Sequence, residues 1–363
     1  MNRILQFLIF FSIFFIIYFG MHFYVFSRIG TMLSIKKNIL FYVVMALLAL
    51  SFPAASMIER IHATAASRLF YMAAGAWLGA LFLAFSALLV YEVVNLLVKL
   101  DKRAAAITIL IVVLALVIYG VINFTTIKVR EVEIQMPNLP EELTVVQLAD
   151  MHIGTVHEWE YMGKIVEITN KANPDMVLIT GDSYDGSRKI DERIVEHLNN
   201  IKAKTFFTTG NHEIFQGVDE VMKVLNKTKI QPLRNEMVEY KGVQIIGIDN
   251  PTRELSQKND IISTIKIDKT KPSILMFHPP TGLEQASQAG INLQLSGHTH
   301  HGQIMPFTLI SKLVYKRNKG LFKYNDTYLY VTEGAGTWGP PMRVGTRNEV
   351  TVIKLVNNVT QNF

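Results

Sequence analysis

The 363-residue sequence contains no cysteine. Without thiols the protein has no disulfides, no thiolate metal ligands and no cysteine nucleophile, although this absence does not identify its compartment. Charge is also scarce at the start: residues 1–127 hold nine of the 36 Lys/Arg and three of the 30 Asp/Glu, which leaves 27 of each sign for the remainder. The +6 excess therefore lies wholly in the apolar part, and no nucleic-acid-binding surface is indicated.

Long uncharged segments occupy the first third of the chain. We predict transmembrane helices at residues 4–27, 38–57, 69–98 and 104–124, because each contains roughly 20 or more apolar residues. Buried core helices are the alternative, but they would show a polar face at helical spacing, and these segments have almost none. A signal peptide is the alternative for the first segment, but its apolar stretch is longer than the usual apolar region of a signal peptide and it lacks a small-residue cleavage pattern. We therefore expect a multi-pass membrane region over residues 1–127 and a separate domain over residues 128–363.

Basic residues near the spans predict the orientation. The loops around residues 28–37 and 99–103 carry six Lys/Arg, and the other exposed segments carry five. By the positive-inside rule the C-terminal domain then lies on the extracytoplasmic side of the cell membrane. Glu92 follows the third uncharged run, and two interpretations stay open for it: a functional carboxylate inside the membrane, or an interfacial residue that reaches the bilayer surface.

Short apolar strands alternate with helical patterns after residue 143. The predicted strands are residues 143–148, 176–180, 205–209, 243–248, 273–277 and 293–296, and the helices between the first three are residues 161–172 and 192–200. The apolar character of nearly every strand position predicts strands that are buried on both faces. This alternation is typical of an α/β domain with right-handed crossovers.

Polar residues with metal-binding side chains follow five of these strands. Because ligands bind outside the carboxyl ends of the strands in such sheets, we expect these side chains to meet at one site. Each has an ordinary explanation when taken alone, since Asp after a strand often begins a turn and Asn-His after Gly often caps a helix. Five coincidences in one order are harder to explain that way. The residues are Asp150, His152, Asp182, Asn211, His212, His278, His298 and His300.

In order and spacing, these motifs resemble those of the calcineurin-like metallophosphoesterases. The resemblance covers roughly residues 143–356 and rests on Asp150-Met151-His152, Gly181-Asp182, Gly210-Asn211-His212-Glu213, His278 and Gly297-His298-Thr299-His300. Two further stretches, residues 295–303 and 334–343, resemble the membrane-associated bacterial phosphoesterases of the YkuE/YaeI type. His301 departs from that subgroup, where glycine is more common, but the ligand set is unchanged.

The resemblance implies a four-layer α/β/β/α sandwich, preceded here by the four membrane helices, and a site for two divalent metal ions. Carboxylate, imidazole and amide ligands without sulfur suit Mn, Fe or Zn. No organic cofactor is implied. By family analogy one ion is held by Asp150, His152 and His300, the other by Asn211, His278 and His298, and Asp182 bridges the two.

His212 stands beside a ligand without being assigned as one. The resemblance implies that it protonates the leaving oxygen or stabilises the transition state. The alternative is a histidine that merely begins a helix. For Asp185, His301 and Arg343, contact with the ligands or with phosphate and a purely structural role both stay open.

These observations predict a membrane-anchored, binuclear metal-dependent phosphoesterase, a hydrolase acting on phosphoric ester bonds. We expect a phosphodiester or pyrophosphate in a lipid, nucleotide or cell-envelope substrate, and the lipid bilayer as partner. The membrane anchor favours a lipid-linked substrate. The alternative is a non-catalytic metal-binding scaffold on the same fold, which loss of ligand residues would indicate.

Overall fold

The computed structural model describes residues 3–250 and 261–357. The chain divides into two compact units, the first comprising Met1–Ile122 with Gly339–Met342 and the second comprising Asn123–Trp338 with Arg343–Phe363. Among the described residues, long helices dominate the first unit and all the strands lie in the second.

Four long helices occupy the described residues before Phe124: α1 (Arg3–Met32), α2 (Ile39–Ile61), α3 (Ala65–Leu97) and α4 (Lys102–Asn123). Their length and composition would allow each to cross a membrane. They coincide with the four predicted spans, with ends that differ by no more than five residues. Helix α3 begins before its predicted span because the Thr64 side-chain oxygen caps it there, and the Asn38 side-chain oxygen caps α2 at the first residue of its predicted span.

Glu92 lies on α3, and Arg28, which sequence analysis placed in a loop, lies on α1. Arg28 Nε is 2.5 Å from Glu92 Oε1, and its Nη2 is 3.0 Å from Oε2. The Tyr24 hydroxyl contacts the same carboxylate at 3.4 Å. This two-point pairing compensates the carboxylate charge, as a charged group on an apolar helix requires.

Twelve strands within the described residues form two six-stranded sheets in the second unit. Sheet I has the order β1-β12-β2-β3-β4-β5, and sheet II has the order β10-β11-β9-β8-β7-β6. Sheet I consists of β1 (Ile127–Met136), β2 (Leu143–Leu148), β3 (Met176–Thr180), β4 (Lys204–Thr208), β5 (Gln231–Pro232) and β12 (Asn348–Asn357). Sheet II consists of β6 (Glu236–Tyr240), β7 (Val243–Ile248), β8 (Ser273–Phe277), β9 (Leu293–Ser296), β10 (Gly320–Tyr324) and β11 (Thr327–Val331).

Each sheet has a parallel centre. Strands β2 to β5 are parallel in sheet I, as are β7, β8, β9 and β11 in sheet II. Strand β12 is antiparallel to β2 but parallel to β1, and β6 and β10 are antiparallel to β7 and β11. Helices follow the parallel strands, as crossover connections require. They are α5 (Trp159–Lys171), α6 (Ile194–Asn199), α7 (Asn211–Gln216), α8 (Val218–Leu225), α9 (Ile261–Thr264), α10 (Leu283–Ala289) and α11 (Phe307–Val314), with a 3₁₀ turn at His300–Gly302.

The core shows the layer order. Consecutive residues of a strand point to opposite faces, so in β2 Val145 packs between the sheets while Val146 packs against the helices beside sheet I. The inter-sheet cluster also contains Leu178 of sheet I and Ile274 of sheet II. A third cluster joins sheet II to α10. The layers are therefore helices, sheet I, sheet II and helices, which confirms the predicted α/β/β/α architecture.

Five of the six predicted strands have the predicted bounds, and β4 is shifted by one residue. Strands β1, β5, β6, β10, β11 and β12 were not predicted from the sequence. Strand β1 was missed because it alternates Lys, Arg and Glu with apolar residues and is mostly exposed, so it lacks the apolar run that identifies a strand buried on both faces. Its position is set by a ten-residue parallel pairing with β12, at the other end of the domain sequence.

Candidate metal centre

The predicted ligand residues lie at the carboxyl ends of both sheets. The loops after β2, β3 and β4 supply four of them, and the loops after β8 and β9 supply three. Because the sheets pack face to face, side chains from these loops converge at one edge of the sandwich. In chain order the residues are Asp150, His152, Asp182 and Asn211 from sheet I, then His278, His298 and His300 from sheet II.

Asp150, His152 and His300 form one group that could hold a metal ion. Their ligand atoms lie within 4.8 Å of one another, and all three residues are buried. The two Nε2 atoms of the histidines are 3.0 Å apart, and His300 Nε2 is 3.5 Å from Asp150 Oδ1. Burial lowers the pKa of both imidazoles well below the usual value, so both are neutral. Neutral imidazole nitrogens beside a carboxylate are a suitable ligand set for a divalent metal.

Asp182, His278 and His298 form a second group of the same kind. His278 donates from Nδ1 to the Thr180 carbonyl at 2.9 Å, which fixes its tautomer and leaves the Nε2 lone pair pointing inward. That nitrogen is 3.1 Å from Asp182 Oδ2 and has no hydrogen-bond partner among the described residues. A lone pair facing a carboxylate needs a cation or a proton between the two. The donor set therefore fits a metal.

The charge balance of this pair supports the same conclusion. Burial by itself would lower the pKa of His278, but the Asp182 and Asp150 carboxylates, with the hydrogen bond to Thr180, together raise that pKa to about 10. Burial would likewise raise the pKa of Asp182, yet His278 holds it below its usual range. Asp182 and His278 thus each favour the charged form of the other. Without a metal, His278 keeps a proton on Nε2, at the place where a cation would bind.

Asp182 lies between the two groups. Its Oδ2 is 3.1 Å from His278 Nε2 and 3.9 Å from His152 Nε2. Its Oδ1 accepts the backbone N–H of His212 at 2.8 Å. A carboxylate in this position can reach an ion in either group, but which ion each residue binds stays a prediction.

Asn211 begins α7, directly before His212. Its side-chain oxygen is buried and has no hydrogen-bond partner within the described part of the chain. A buried carbonyl oxygen without a donor is costly unless another positive group satisfies it. This atom therefore also fits the metal interpretation.

His212 is buried at the second residue of α7, so it does lie at the start of a helix, and its catalytic role stays a prediction. It donates from Nδ1 to the Asp185 carbonyl at 2.7 Å, which leaves Nε2 as the nitrogen able to exchange a proton. Its ring stands edge-to-face against that of His152, with centroids 4.5 Å apart. His152, His212 and the Asp185 carboxylate also form a third group of potential ligand atoms.

The backbone at this centre is unusual. Six site residues have positive φ between 46° and 74°: Asp150, His152, Asp182, His298, His300 and His301. Left-handed conformations cost non-glycine residues on the order of 1–3 kcal/mol and persist where the surrounding structure enforces them. Gly210 and Gly297 permit the close packing, because a Cβ at either position would collide with the Asp182 or the Asp150 carboxylate. The positive φ angles thus orient these side chains in directions that an extended backbone at the end of a strand would not produce.

Three further residues, Glu213, Tyr315 and Arg343, contact the predicted ligands or their loops, and sequence analysis assigned no firm role to any of them. Buried Glu213 accepts the backbone N–H groups of Gly210, Asp182 and Ser183 at 2.7–2.8 Å and so joins two ligand loops. Its place in the Gly-Asn-His-Glu motif was the available signal.

Tyr315 and Arg343 support the histidines of sheet II. The Tyr315 hydroxyl is 2.8 Å from His298 Nε2. Arg343 is fully buried, and its Nη2 is 3.0 Å from His300 Nδ1 and donates to the Glu333 and Gly336 carbonyls. Burial and these contacts give Arg343 a positioning role at His300. No sequence motif marked Tyr315.

Comparison with known proteins agrees with this geometry. Residues 143–302 match the family model described as calcineurin-like phosphoesterase. An uncharacterized metallophosphoesterase of Helicobacter pylori is 36% identical over 236 residues, which are 63% of this chain and 64% of that protein. One from Campylobacter jejuni is 35% identical over 256 residues, 68% of each chain. A transmembrane protein with metallophosphoesterase domain from Danio rerio is 32% identical over 268 residues, 68% of this chain and 61% of that protein.

The match to the Helicobacter pylori protein spans just under two thirds of its length. The Campylobacter jejuni protein is covered over more than two thirds, at an identity well above what fold similarity alone produces. The matched range includes His212 and all seven predicted ligand residues. The chain belongs to the calcineurin-like phosphoesterase family.

Proposed function

We propose that the protein is a membrane-anchored phosphoesterase that hydrolyses a phosphodiester or pyrophosphate with two divalent metal ions. The observation that carries the proposal is the pair of ligand groups where the two sheets meet, buried except for the partly exposed His298, with the His278 lone pair facing Asp182. Sulfur-free ligands of this kind favour Mn, Fe or Zn.

In the proposed centre, Asp150, His152 and His300 hold one ion, Asn211, His278 and His298 hold the other, and Asp182 contacts both. When bound, two such ions supply a water nucleophile of lowered pKa and offset charge on the phosphoryl oxygens.

His212 is the proposed proton donor to the leaving oxygen. Its Nδ1 is committed to the Asp185 carbonyl, so the proton would pass from Nε2. The hydrogen bond to Asp185 fixes the ring, and Phe215 and Trp338 pack around it with ring centroids 5.4 and 6.0 Å away. His212 therefore acts from a fixed position at the rim of the site.

The proposed location is the cell membrane, with α1 to α4 as a multi-pass anchor and the catalytic domain on the extracytoplasmic side. The apolar helices and the basic residues near their ends support this location. A reporter fused to the C-terminus in bacterial cells tests the orientation. Alkaline phosphatase activity of the fusion supports the outward side, whereas a fluorescent cytoplasmic reporter with a silent phosphatase fusion contradicts it.

The proposed substrate is an amphiphilic phosphate ester, because the anchor keeps the site near lipids. Full-length protein in nanodiscs with Mn²⁺ should hydrolyse chromogenic diesters, and then a component of a lipid extract. Asp150→Asn should abolish this activity, while His62→Ala, which removes an exposed imidazole elsewhere, should preserve it. Bound metal without turnover of any ester would instead favour a non-catalytic scaffold.

A further inference from the structure

Helix α11 has its apolar side turned outward. Thr308 and Ser311 are buried, whereas Leu309, Leu313 and Val314 are exposed by 55%, 84% and 66%. Phe307 and Ile310 are exposed as well. A surface helix of a water-soluble domain normally shows the opposite arrangement, with apolar residues inside and polar residues outside. A contiguous apolar face of this kind marks an interaction surface.

This face borders the metal centre. Helix α11 begins five residues after the 3₁₀ turn that contains His300, and Tyr315, directly after the helix, contacts His298. Trp338, which is 53% exposed, is held by two hydrogen bonds to Gln303 in the segment between that turn and α11. Phe215, exposed by 67%, packs on His212. The rim of the site is therefore apolar on more than one side.

Positive charge accompanies the apolar face. Residues 307–320 contain four basic residues and no acidic ones. Arg317 and Lys319 pair with Glu284 and Glu333, while Lys312 and Lys316 are exposed. Apolar side chains flanked by Lys are what an interfacial helix presents to anionic lipid headgroups.

We propose that α11 is an interfacial helix that inserts Leu309, Leu313 and Val314 into the headgroup region of a bilayer containing anionic lipid. The inference rests on the membrane anchor of the proposed function. A bilayer is the occupant best supported, because the same chain carries four apolar helices and only three residues separate Asn123 at the end of α4 from Ile127 at the start of β1. A tether this short keeps the domain at high effective concentration next to the membrane that the helices cross.

The absence of cysteine gives a direct test. Leu313→Cys in the full chain is labelled with an environment-sensitive fluorophore and placed, one chain per disc, in nanodiscs containing phosphatidylglycerol and a spin-labelled phosphatidylcholine. Lys229→Cys, an exposed position elsewhere in the second unit, is the matched control. We expect the spin label to quench position 313 by about twofold or more, as for a side chain in the headgroup region, and to leave position 229 unchanged. Equal quenching at the two positions overturns the proposal.

Two further arms sharpen the result. Removing phosphatidylglycerol should reduce quenching at position 313, and no change would show that charge attraction is absent. If a second copy of the chain covers this face instead, Leu313→Cys will form disulfide-linked dimers in detergent and will not be quenched by spin-labelled lipid, which also overturns the proposal. None of these readouts needs turnover, so failure of the phosphoesterase assignment would leave them interpretable.

Discussion

The two sheets of the catalytic unit share a layout but supply different chemistry. Both place parallel strands at their centre and deliver ligands from the carboxyl ends of those strands. Sheet I contributes both predicted carboxylate ligands, Asp150 and Asp182, as well as His212, the proposed proton donor, whereas sheet II contributes only imidazoles. In the proposed centre the negative charge of the ligands therefore comes entirely from sheet I, and sheet II would complete the coordination with imidazole nitrogens. Changes on sheet I should accordingly be more damaging than changes on sheet II.

The largest effect should follow from Asp182→Asn. The amide keeps the size of the side chain but removes the charge shared by the two ligand groups, so diester hydrolysis should fall on the order of 1000-fold or more. Asp326→Asn, at the exposed turn between β10 and β11, is the matched control and should retain activity. Wild-type turnover in the Asp182 variant would remove this carboxylate from the mechanism.

A second substitution on sheet I, at His212, should distinguish loss of catalysis from loss of metal binding. His212→Ala removes the proposed acid but none of the proposed ligands, so turnover should fall by roughly 100-fold or more while bound metal stays at the wild-type level. The comparison is made by steady-state kinetics and elemental analysis of the same preparation. Loss of metal in this variant would make His212 a ligand, consistent with its place in the third group of potential ligand atoms.

Glu213→Gln tests the hydrogen bonds that join the ligand loops after β3 and β4. The amide cannot accept all the N–H groups that the carboxylate holds at Gly210, Asp182 and Ser183, so at least one buried donor is left unpaired. The expected cost is about 1–3 kcal/mol, which lowers the melting temperature of the full chain by several degrees. Glu220→Gln, on the exposed side of α8, should melt like wild type.

The smallest effect should come from the opposite end of the sandwich, where an ion pair joins the two sheets. Lys241, in the β6–β7 turn of sheet II, pairs with Asp175, just before β3 of sheet I. Burial acts to raise the pKa of Asp175, but the hydrogen bonds from Lys241 and the Thr144 N–H, together with the Lys241 charge, lower it overall. A lowered folded-state pKa adds stability above the unfolded value near 3.8, and this stability is lost as the pH falls through the folded value.

Lys241→Met should therefore lower the stability only slightly at pH 7, because water screens the exposed ammonium group, and the difference from wild type should shrink as the pH falls below 4. Thermal melting of the full chain at several pH values measures it. A difference that grows in acid would mean that Lys241 acts through something other than Asp175.

The sequence predicted the parts of the centre whose signals are local. Strands β2, β3, β8 and β9 have apolar runs that end at a ligand, so strand, loop and side chain could be located together. Strand β1 could not be found this way, because its position depends on pairing with β12 more than 200 residues later. Tyr315 and the outward apolar face of α11 were missed for the same reason, since tertiary packing alone determines what each side chain contacts.

Metal content tests the proposed centre most directly, because the centre should hold two ions between the carboxylate ligands of sheet I and the imidazole ligands of sheet II. Elemental analysis of the purified full chain, dialysed against Mn²⁺ and then buffer, should give two ions per chain for wild type. It should give nearly none for Asp182→Asn, and one for His278→Ala, which removes a neutral donor from a single group. Full occupancy in Asp182→Asn, or equal losses in the two variants, would contradict the account.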